Sequence, residues 1–173
     1  MRNIQLFVSC GSDRNGFRDV ANDAIDRLRQ VIQSEMRLEV ILTQWDYRKA
    51  TPTVVPAGAL AATSLANVDR AAALVAIFGK RVPPITTQEV RKAFERRKSR
   101  ETVDVFMFAQ ENLMTPRHRR LLKDIQDDFG ETISYAQYQD RLSFQGALHT
   151  TLFKYLFEQL GVANPALLPG GAP

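Results

Sequence analysis

Apolar and polar positions alternate along this chain between strand-like and helix-like segments. Short runs, mostly apolar, predict strands over Ile4–Ser9, Leu38–Thr43, Ala72–Phe78, Val103–Ala109 and, with a more polar pattern, Thr132–Tyr138. Amphipathic spacing and terminal signals predict helices over Phe17–Glu35, Ala57–Asp69, Thr87–Ser99, Thr115–Phe129 and Asp140–Leu160. Regular alternation of strand and helix is typical of an α/β protein with a doubly wound parallel sheet.

The third predicted strand gives the clearest indication of topology. Ala72–Phe78 is continuously apolar, as expected of a central parallel strand covered on both faces. Right-handed crossovers and helices on both faces favour a flavodoxin-like, five-stranded order, 2-1-3-4-5. Ligands bind such sheets beyond the carboxyl ends of the strands, where the strand order reverses. The loops predicted to meet there are Ser9–Gly16 and Gly79–Thr87.

Length and composition predict one globular domain. The 173 residues are 45% hydrophobic and 24% charged, and the longest apolar run, Ala71–Phe78, is too short to span a membrane. We predict a domain over residues 1–161 and a linker or disordered tail over 162–173, rich in proline and glycine and typical of a connection to a further domain. A single cysteine, Cys10, and the lack of a signal peptide predict a cytoplasmic protein.

The net charge of +4 is unevenly distributed between two predicted helices. One cluster of cations is Arg91, Lys92, Arg96, Arg97, Lys98 and Arg100, and the other is Arg117, Arg119, Arg120 and Lys123. Such clusters can neutralise nucleic-acid phosphates. We favour solvated faces of amphipathic helices instead, because no nucleic-acid-binding motif accompanies them.

Glu89 is the candidate catalytic residue, because it follows the central strand at the edge where ligands bind. It also has a structural interpretation. Thr86-Thr87-Gln88-Glu89 matches a capping box, in which the threonine and the glutamate each satisfy a free N–H of the helix terminus. The sequence leaves both roles open.

Two loops carry further candidate residues. The first, Ser9–Gly16, contains small residues that allow close approach of a ligand, although any strand-to-helix turn needs such residues. Cys10 is a possible but disfavoured nucleophile. In the second loop, Trp45 and Asp46 could stack on a ring and accept hydrogen bonds from sugar hydroxyls, or Trp45 could simply cover the sheet edge.

The two histidines give no metal-binding pattern. His118 lies in a basic helix and is predicted to be solvated, whereas His149 lies among apolar positions and is predicted to be partly buried. No cluster has the spacing of metal ligands, so we predict no metal site.

Two segments resemble Toll/interleukin-1 receptor (TIR)-like domains. The stretch IQLFVSCGSDRNGFRDVANDAIDRL resembles their opening strand, loop and helix. The stretch LVAIFGKRVPPITTQEVRKAF resembles strand three and its helix in bacterial TIR-like domains found next to sensor or NTPase modules. The matching positions are Gly79, Arg81, Thr86, Glu89 and Ala93. The resemblance covers residues 4 to 160 in element order, and departs from the family at Cys10, where an aromatic residue is usual.

The resemblance implies hydrolysis of NAD⁺ at the nicotinamide N-glycosidic bond, or cyclisation of the remaining ADP-ribose. Glu89 matches the essential carboxylate, which would stabilise the cation that forms on the ribose. NAD⁺ would be a substrate, and no permanently bound cofactor is expected. The residues predicted to contact it are Ser9, Cys10, Gly11, Ser12, Asp13, Phe17, Trp45, Asp46 and Arg81.

The resemblance also implies bacterial immune or stress signalling, activation by self-association, and a C-terminal sensor domain or partner. Two alternatives remain open. A non-enzymatic TIR-like adaptor would work by assembly alone, and a nucleoside deoxyribosyltransferase-like enzyme would also place a glutamate beyond a central strand. Neither a membrane nor nucleic acid is expected as a partner.

Overall fold

The computed structural model describes residues 3–11, 15–36, 41–43, 57–99, 103–130 and 135–161. Several predictions fall outside these residues. They concern the loop residues Ser12, Asp13, Trp45 and Asp46, the cation Arg100, parts of the second and fifth predicted strands, and the tail after residue 161.

The described elements alternate strand and helix along the chain. The strands are β1 (Asn3–Cys10), β2 (Ile41–Thr43), β3 (Ala73–Phe78), β4 (Asp104–Gln110) and β5 (Ala136–Tyr138). The helices are α1 (Asn15–Met36), α2 (Ala57–Arg70), α3 (Pro84–Lys98), α4 (Pro116–Phe129) and α5 (Arg141–Leu160), and a short 3₁₀ turn, Glu111–Leu113, follows β4.

All described strand pairs are parallel, and the sheet has the order β2-β1-β3-β4-β5. β3 lies at the centre, between β1 and β4, and all six of its residues are buried. The α/β class with a parallel sheet, predicted from the alternating pattern, is confirmed. Continuous apolarity predicted the position of β3 because a central strand has no solvent-facing side.

Each face of the sheet is covered by its own helices, because successive strand residues point to opposite faces. Ile77 and Cys10 belong to the core under α1 and α5, whereas Phe78 and Phe7 belong to the core under α2, α3 and α4. Ser9 pairs in register with Ala76 and therefore points to the α2–α4 face. The sheet thus separates the side chains of Ser9 and Cys10, although they are neighbours in sequence.

The helix signals in the sequence correspond to the observed ends of α4 and α5. Thr115 is the N-cap of α4, with Pro116 at the first helical position. Gly130 and Gly161 end α4 and α5 in the left-handed conformation, with φ of 66° and 75°. This conformation costs little for glycine because it has no Cβ.

Alanine substitutions at two glycines are expected to change stability in opposite directions. Gly130→Ala should lower the free energy of unfolding by about 1 kcal/mol, because a Cβ is strained at positive φ. Gly146 lies inside α5, and a Cβ there would meet nothing within 4 Å. Gly146→Ala should therefore raise the free energy of unfolding by about 0.5–1 kcal/mol. Urea denaturation of both variants measures the two changes, and equal signs would contradict this explanation.

Candidate functional site

Glu89 lies inside α3 rather than at its N-terminus. The helix begins at Pro84, three residues earlier than predicted, because proline is pre-organised for the first helical position. Its N-cap, Pro83, has no side-chain cap. Glu89 is therefore in the second turn, where backbone N–H groups already have partners in the helix. The capping-box interpretation of Thr86 and Glu89 is wrong.

The Glu89 carboxylate instead joins three elements on the α2–α4 face of the sheet. The Ser9 hydroxyl, from the end of β1, donates to Oε2, and the Ser64 hydroxyl, from the middle of α2, donates to Oε1. Glu89 is 3% exposed and Ser9 is 2% exposed. Each carboxylate oxygen thus has a hydroxyl donor, as a buried carboxylate requires.

Burial raises the pKa of Glu89 above its ordinary value, because the charged form loses its hydration. Three neighbours act in the opposite direction. The hydrogen bonds from Ser64 and Ser9 and the positive charge of Arg18 lower the pKa, but they do not offset the burial. The site therefore holds a carboxylate whose charge is less stable than it would be in water.

The raised pKa predicts how stability depends on pH. The folded state holds the Glu89 proton more tightly than the unfolded state, so ionisation costs stability as the pH rises from 4.5 through the raised pKa. Wild type should lose stability relative to Glu89→Gln over that interval and reach a plateau above it. Thermal melts of both proteins between pH 4 and 8 measure the difference, and a constant difference would contradict the raised pKa.

The predicted first-loop residues lie on both sides of the sheet. Ser9 contacts Glu89 directly, and Gly11 is buried just beyond the strand. The Cys10 side chain is buried under α1 and α5, on the face away from Glu89, while its carbonyl oxygen accepts a 2.9 Å hydrogen bond from Arg18. The structure therefore brings Ser9, but not the Cys10 thiol, to the carboxylate.

Phe17 and Arg81 lie apart from the described contacts of Glu89. The Phe17 ring packs against the rings of Tyr138 and Phe144, with centroid distances of 5.0 and 5.4 Å. This places Phe17 in the packing between α1 and α5. Arg81 is exposed in the loop between β3 and α3, at the carboxyl edge of the sheet.

Gly16, at the end of the predicted first loop, lies close to a side chain of the protein itself. A Cβ at this position would clash with the Arg141 guanidinium at the start of α5. The close approach that the glycine allows is therefore made by Arg141.

Sequence reasoning missed Ser64 and Arg18. Ser64 is a small polar residue in an alanine-rich helix, a pattern that gives no indication of its partner. Arg18 follows the predicted contact residue Phe17, but its proximity to Glu89 depends on where α1 begins relative to α3. Only the packing of α1, β1, α2 and α3 places these side chains together.

The cations of α3 have partners within the protein and are not simply a solvated face. Arg91 pairs with Asp128 of α4 at 2.7 Å, and Lys92 pairs with Asp69 of α2 at 2.6 Å. Arg96 donates to the carbonyl oxygens of Val68 and Ala71, and Arg97 to that of Val103. These contacts connect α3 to its neighbours. The cations of α4 are exposed, as predicted: Arg117, Arg119, Arg120 and Lys123.

The structure corrects the predictions for both histidines. His118 is 3% exposed, packs edge-on against Phe78, and its Nδ1 accepts a 3.1 Å hydrogen bond from the Thr115 backbone N–H. Burial lowers the pKa of His118. His149 is exposed, with its ring nearly parallel to that of Phe153. The predictions failed because His118 faces the sheet from the first turn of α4, whereas His149 faces away from the α5 core.

Two features are absent from the described residues. Across the six described ranges, no group of three or more His, Cys, Asp or Glu side chains could hold a metal ion. Within the same ranges, no helix is both long and apolar enough to cross a membrane.

Comparisons with known proteins identify the fold. The TIR domain heterodimer of RPS4 and RRS1 aligns with a TM-score of 0.52 and 12% identity, covering 91% of this chain and 97% of that chain. The flavodiiron core of Flv1 from Synechocystis has a TM-score of 0.46 and 10% identity, covering 91% of this chain and 36% of that chain. Oxidised flavodoxin 1 from Bacillus cereus has a TM-score of 0.42 and 9% identity, covering 92% and 98% respectively.

The sequence itself matches no protein-family model and no curated protein. The fold assignment therefore depends on the likeness to the TIR domain, the only one of these three with a TM-score above 0.5. The chain has a TIR-like α/β fold.

Proposed function

We propose that this chain is an NAD⁺-consuming TIR-like domain of the NAD⁺ glycohydrolase or ADP-ribosyl cyclase type. The observation that supports this proposal is the placement of Glu89. Its carboxylate lies beside the last residues of β1, near the edge where α/β sheets bind ligands, and its hydrogen bonds come from hydroxyl groups. A carboxylate that accepts hydrogen bonds from two serine hydroxyls can accept them equally from ribose hydroxyls.

The chemistry requires little more than this carboxylate. Nicotinamide leaves NAD⁺ as a neutral base, so the leaving group does not require a general acid. The ribose becomes an oxocarbenium-like cation, and a negative charge held beside its hydroxyls stabilises the transition state. Water, or a nucleophile within the substrate, then completes hydrolysis or cyclisation. Burial strengthens the electrostatic interaction because the local dielectric constant is low.

We further propose that the domain acts in bacterial immune or stress signalling and is activated by self-association. The structural neighbour with the highest TM-score of those described above is itself a heterodimer of TIR domains. The burial of Glu89 also suits a protein that is inactive when isolated, because a substrate cannot reach a carboxylate that is 3% exposed.

The same burial favours a second candidate function, a TIR-like adaptor without catalysis. In an adaptor, Glu89 would only connect β1, α2 and α3 through its two serine contacts. The adaptor predicts assembly without nicotinamide release, whereas the enzyme predicts both.

Nicotinamide release from NAD⁺ by concentrated or artificially clustered protein tests the proposal. The enzyme predicts release that increases with clustering. Absence of release at every degree of clustering would contradict the enzyme and favour the adaptor. Cleavage of deoxynucleosides with no effect on NAD⁺ would instead favour a deoxyribosyltransferase-like activity.

A further inference from the structure

The two serine donors to Glu89 differ in how firmly the fold holds them. Ser9 is 2% exposed and lies in β1, in register with Ala76 of the central strand β3. Ser64 is partly exposed and lies on α2, which covers the sheet from one side. A buried hydroxyl that turns away from Glu89 is left without a partner, whereas a partly exposed serine hydroxyl can change rotamer and form a hydrogen bond with water.

Described contacts hold α2 mainly beyond Ser64. Arg96 of α3 donates to the carbonyl oxygens of Val68 and Ala71, and Lys92 of α3 pairs with Asp69. These contacts lie one to two turns after Ser64 along the chain. Loss of the Ser64 hydrogen bond would therefore leave the attachment of α2 to α3 in place.

Glu89 can exchange one donor and keep the other. An ionised carboxylate has about four acceptor positions, and each of its oxygens now accepts one serine hydroxyl. A ligand hydroxyl can replace Ser64 at Oε1 while Ser9 continues to orient the carboxylate at Oε2. A vicinal diol offers two donors at the spacing of two carboxylate oxygens, so its second hydroxyl can share Oε2 with Ser9.

We propose that Ser9 and Ser64 are positioning residues with opposite effects on ligand binding: Ser9 holds Glu89 in its binding orientation, and Ser64 occupies the place of a ribose hydroxyl until a ribose diol displaces it. This inference rests on the proposed function, because it takes the ligand to be a ribonucleotide with a free vicinal diol. It assigns a role to α2, which the sequence did not connect with the site.

The first test measures the carboxylate without any substrate. The groups that face it are Ser9 from β1, Ser64 from α2 and the Arg18 guanidinium from α1. Carbon-13 NMR of labelled glutamate gives its titration midpoint, with the Glu89 signal assigned by its absence in Glu89→Gln. The titration midpoint should be at higher pH in Ser64→Ala than in wild type, because a hydrogen bond that favours the charged carboxylate is lost. In Ser64→Thr, which keeps the hydroxyl, the midpoint should equal that of wild type.

A matched control is available on the same helix. Thr63 is the neighbour of Ser64, and its side chain is exposed. Thr63→Ala removes a hydroxyl from α2 without removing a donor to Glu89, so its titration midpoint should equal that of wild type. A midpoint that is the same in Ser64→Ala and wild type would overturn the positioning role of Ser64.

The second test uses ADP-ribose, which carries the diol but has no bond to cleave. Calorimetry at pH 8, on protein clustered as for the nicotinamide assay, should show that Ser64→Ala binds it about two- to tenfold more tightly than wild type, because one competing hydrogen bond is gone. Ser9→Ala should bind it more weakly, because the carboxylate loses its orientation. Thr63→Ala and Ser64→Thr should bind it like wild type.

Weaker or unchanged binding in Ser64→Ala, or no binding of ADP-ribose by any of these proteins, would contradict the replacement of Ser64 by a ribose hydroxyl. The result is independent of turnover. If the predicted changes in midpoint and affinity occur but clustered protein releases no nicotinamide, the proposed function fails and the roles of the two serines stand.

Discussion

Glu89→Gln is expected to reduce nicotinamide release by clustered protein about 10²- to 10³-fold, the magnitude typical of removing one electrostatic contact to a transition state. The neutral amide cannot stabilise the cation on the ribose. It can, however, keep both described contacts, because its oxygen accepts a hydrogen bond from one serine while its NH₂ group donates to the other. The loss of activity should therefore occur in a folded protein, and the assay is nicotinamide release at equal degrees of clustering.

The matched control for this prediction is Glu95→Gln. Glu95 lies on the same helix, but its side chain is exposed. The substitution changes net charge by the same amount and should leave nicotinamide release within about twofold of wild type, because an exposed charge outside the site is screened by solvent. Full activity in Glu89→Gln would contradict a catalytic role for this carboxylate. Equal losses in both variants would indicate an effect of net charge.

Phe144→Ala is expected to have the largest effect on stability. Phe144 is fully buried in α5, and its ring contacts those of Phe17, Phe108 and Tyr138 at centroid distances of 5.1 to 5.5 Å. Removing the ring leaves a cavity where α1, the sheet and α5 meet, so the free energy of unfolding should fall by about 3–5 kcal/mol. The free energy of unfolding of a domain is about 5–15 kcal/mol in total, so the melting temperature should fall by about 10 °C or more.

The control for this substitution lies two residues earlier in the same helix. The Leu142 side chain is 77% exposed. Leu142→Ala should change the free energy of unfolding by no more than about 0.5 kcal/mol, because little apolar surface is buried there. Thermal melts of both variants make the comparison. A small effect at Phe144 would show that the aromatic cluster repacks around the lost ring.

The sequence predicted the ends of helices well where the backbone conformation favours one residue type, as it does for glycine and proline. Gly130 and Gly161 ended helices because other residues are strained at positive φ, and Pro116 began one because its φ is already helical. The same property of proline was overlooked at Pro84. We predicted the start of α3 from the pattern of a capping box, and the proline, which begins the helix three residues earlier, made that box impossible.

The candidate site was only partly predictable, because its residues come from separate elements of the chain. Glu89 was identified from its position after a buried strand, and Ser9 from its position at the end of another. Ser64 could not be identified, because it lies on a different helix and its neighbours in sequence are unremarkable. The role of Cys10 was also undecidable from the pattern, since a shift of one residue along β1 changes the face of the sheet to which a side chain points.

By itself, the sequence determined the alternation of strands and helices, the apolar central strand and a glutamate following it. These follow from properties of single segments: hydrophobic periodicity, chain length and the conformational limits of proline and glycine. The tertiary structure alone decided what Glu89 does, because its carboxylate is buried against hydroxyls from β1 and α2. A buried charge takes its partners from whichever elements pack around it, and local sequence does not contain that information.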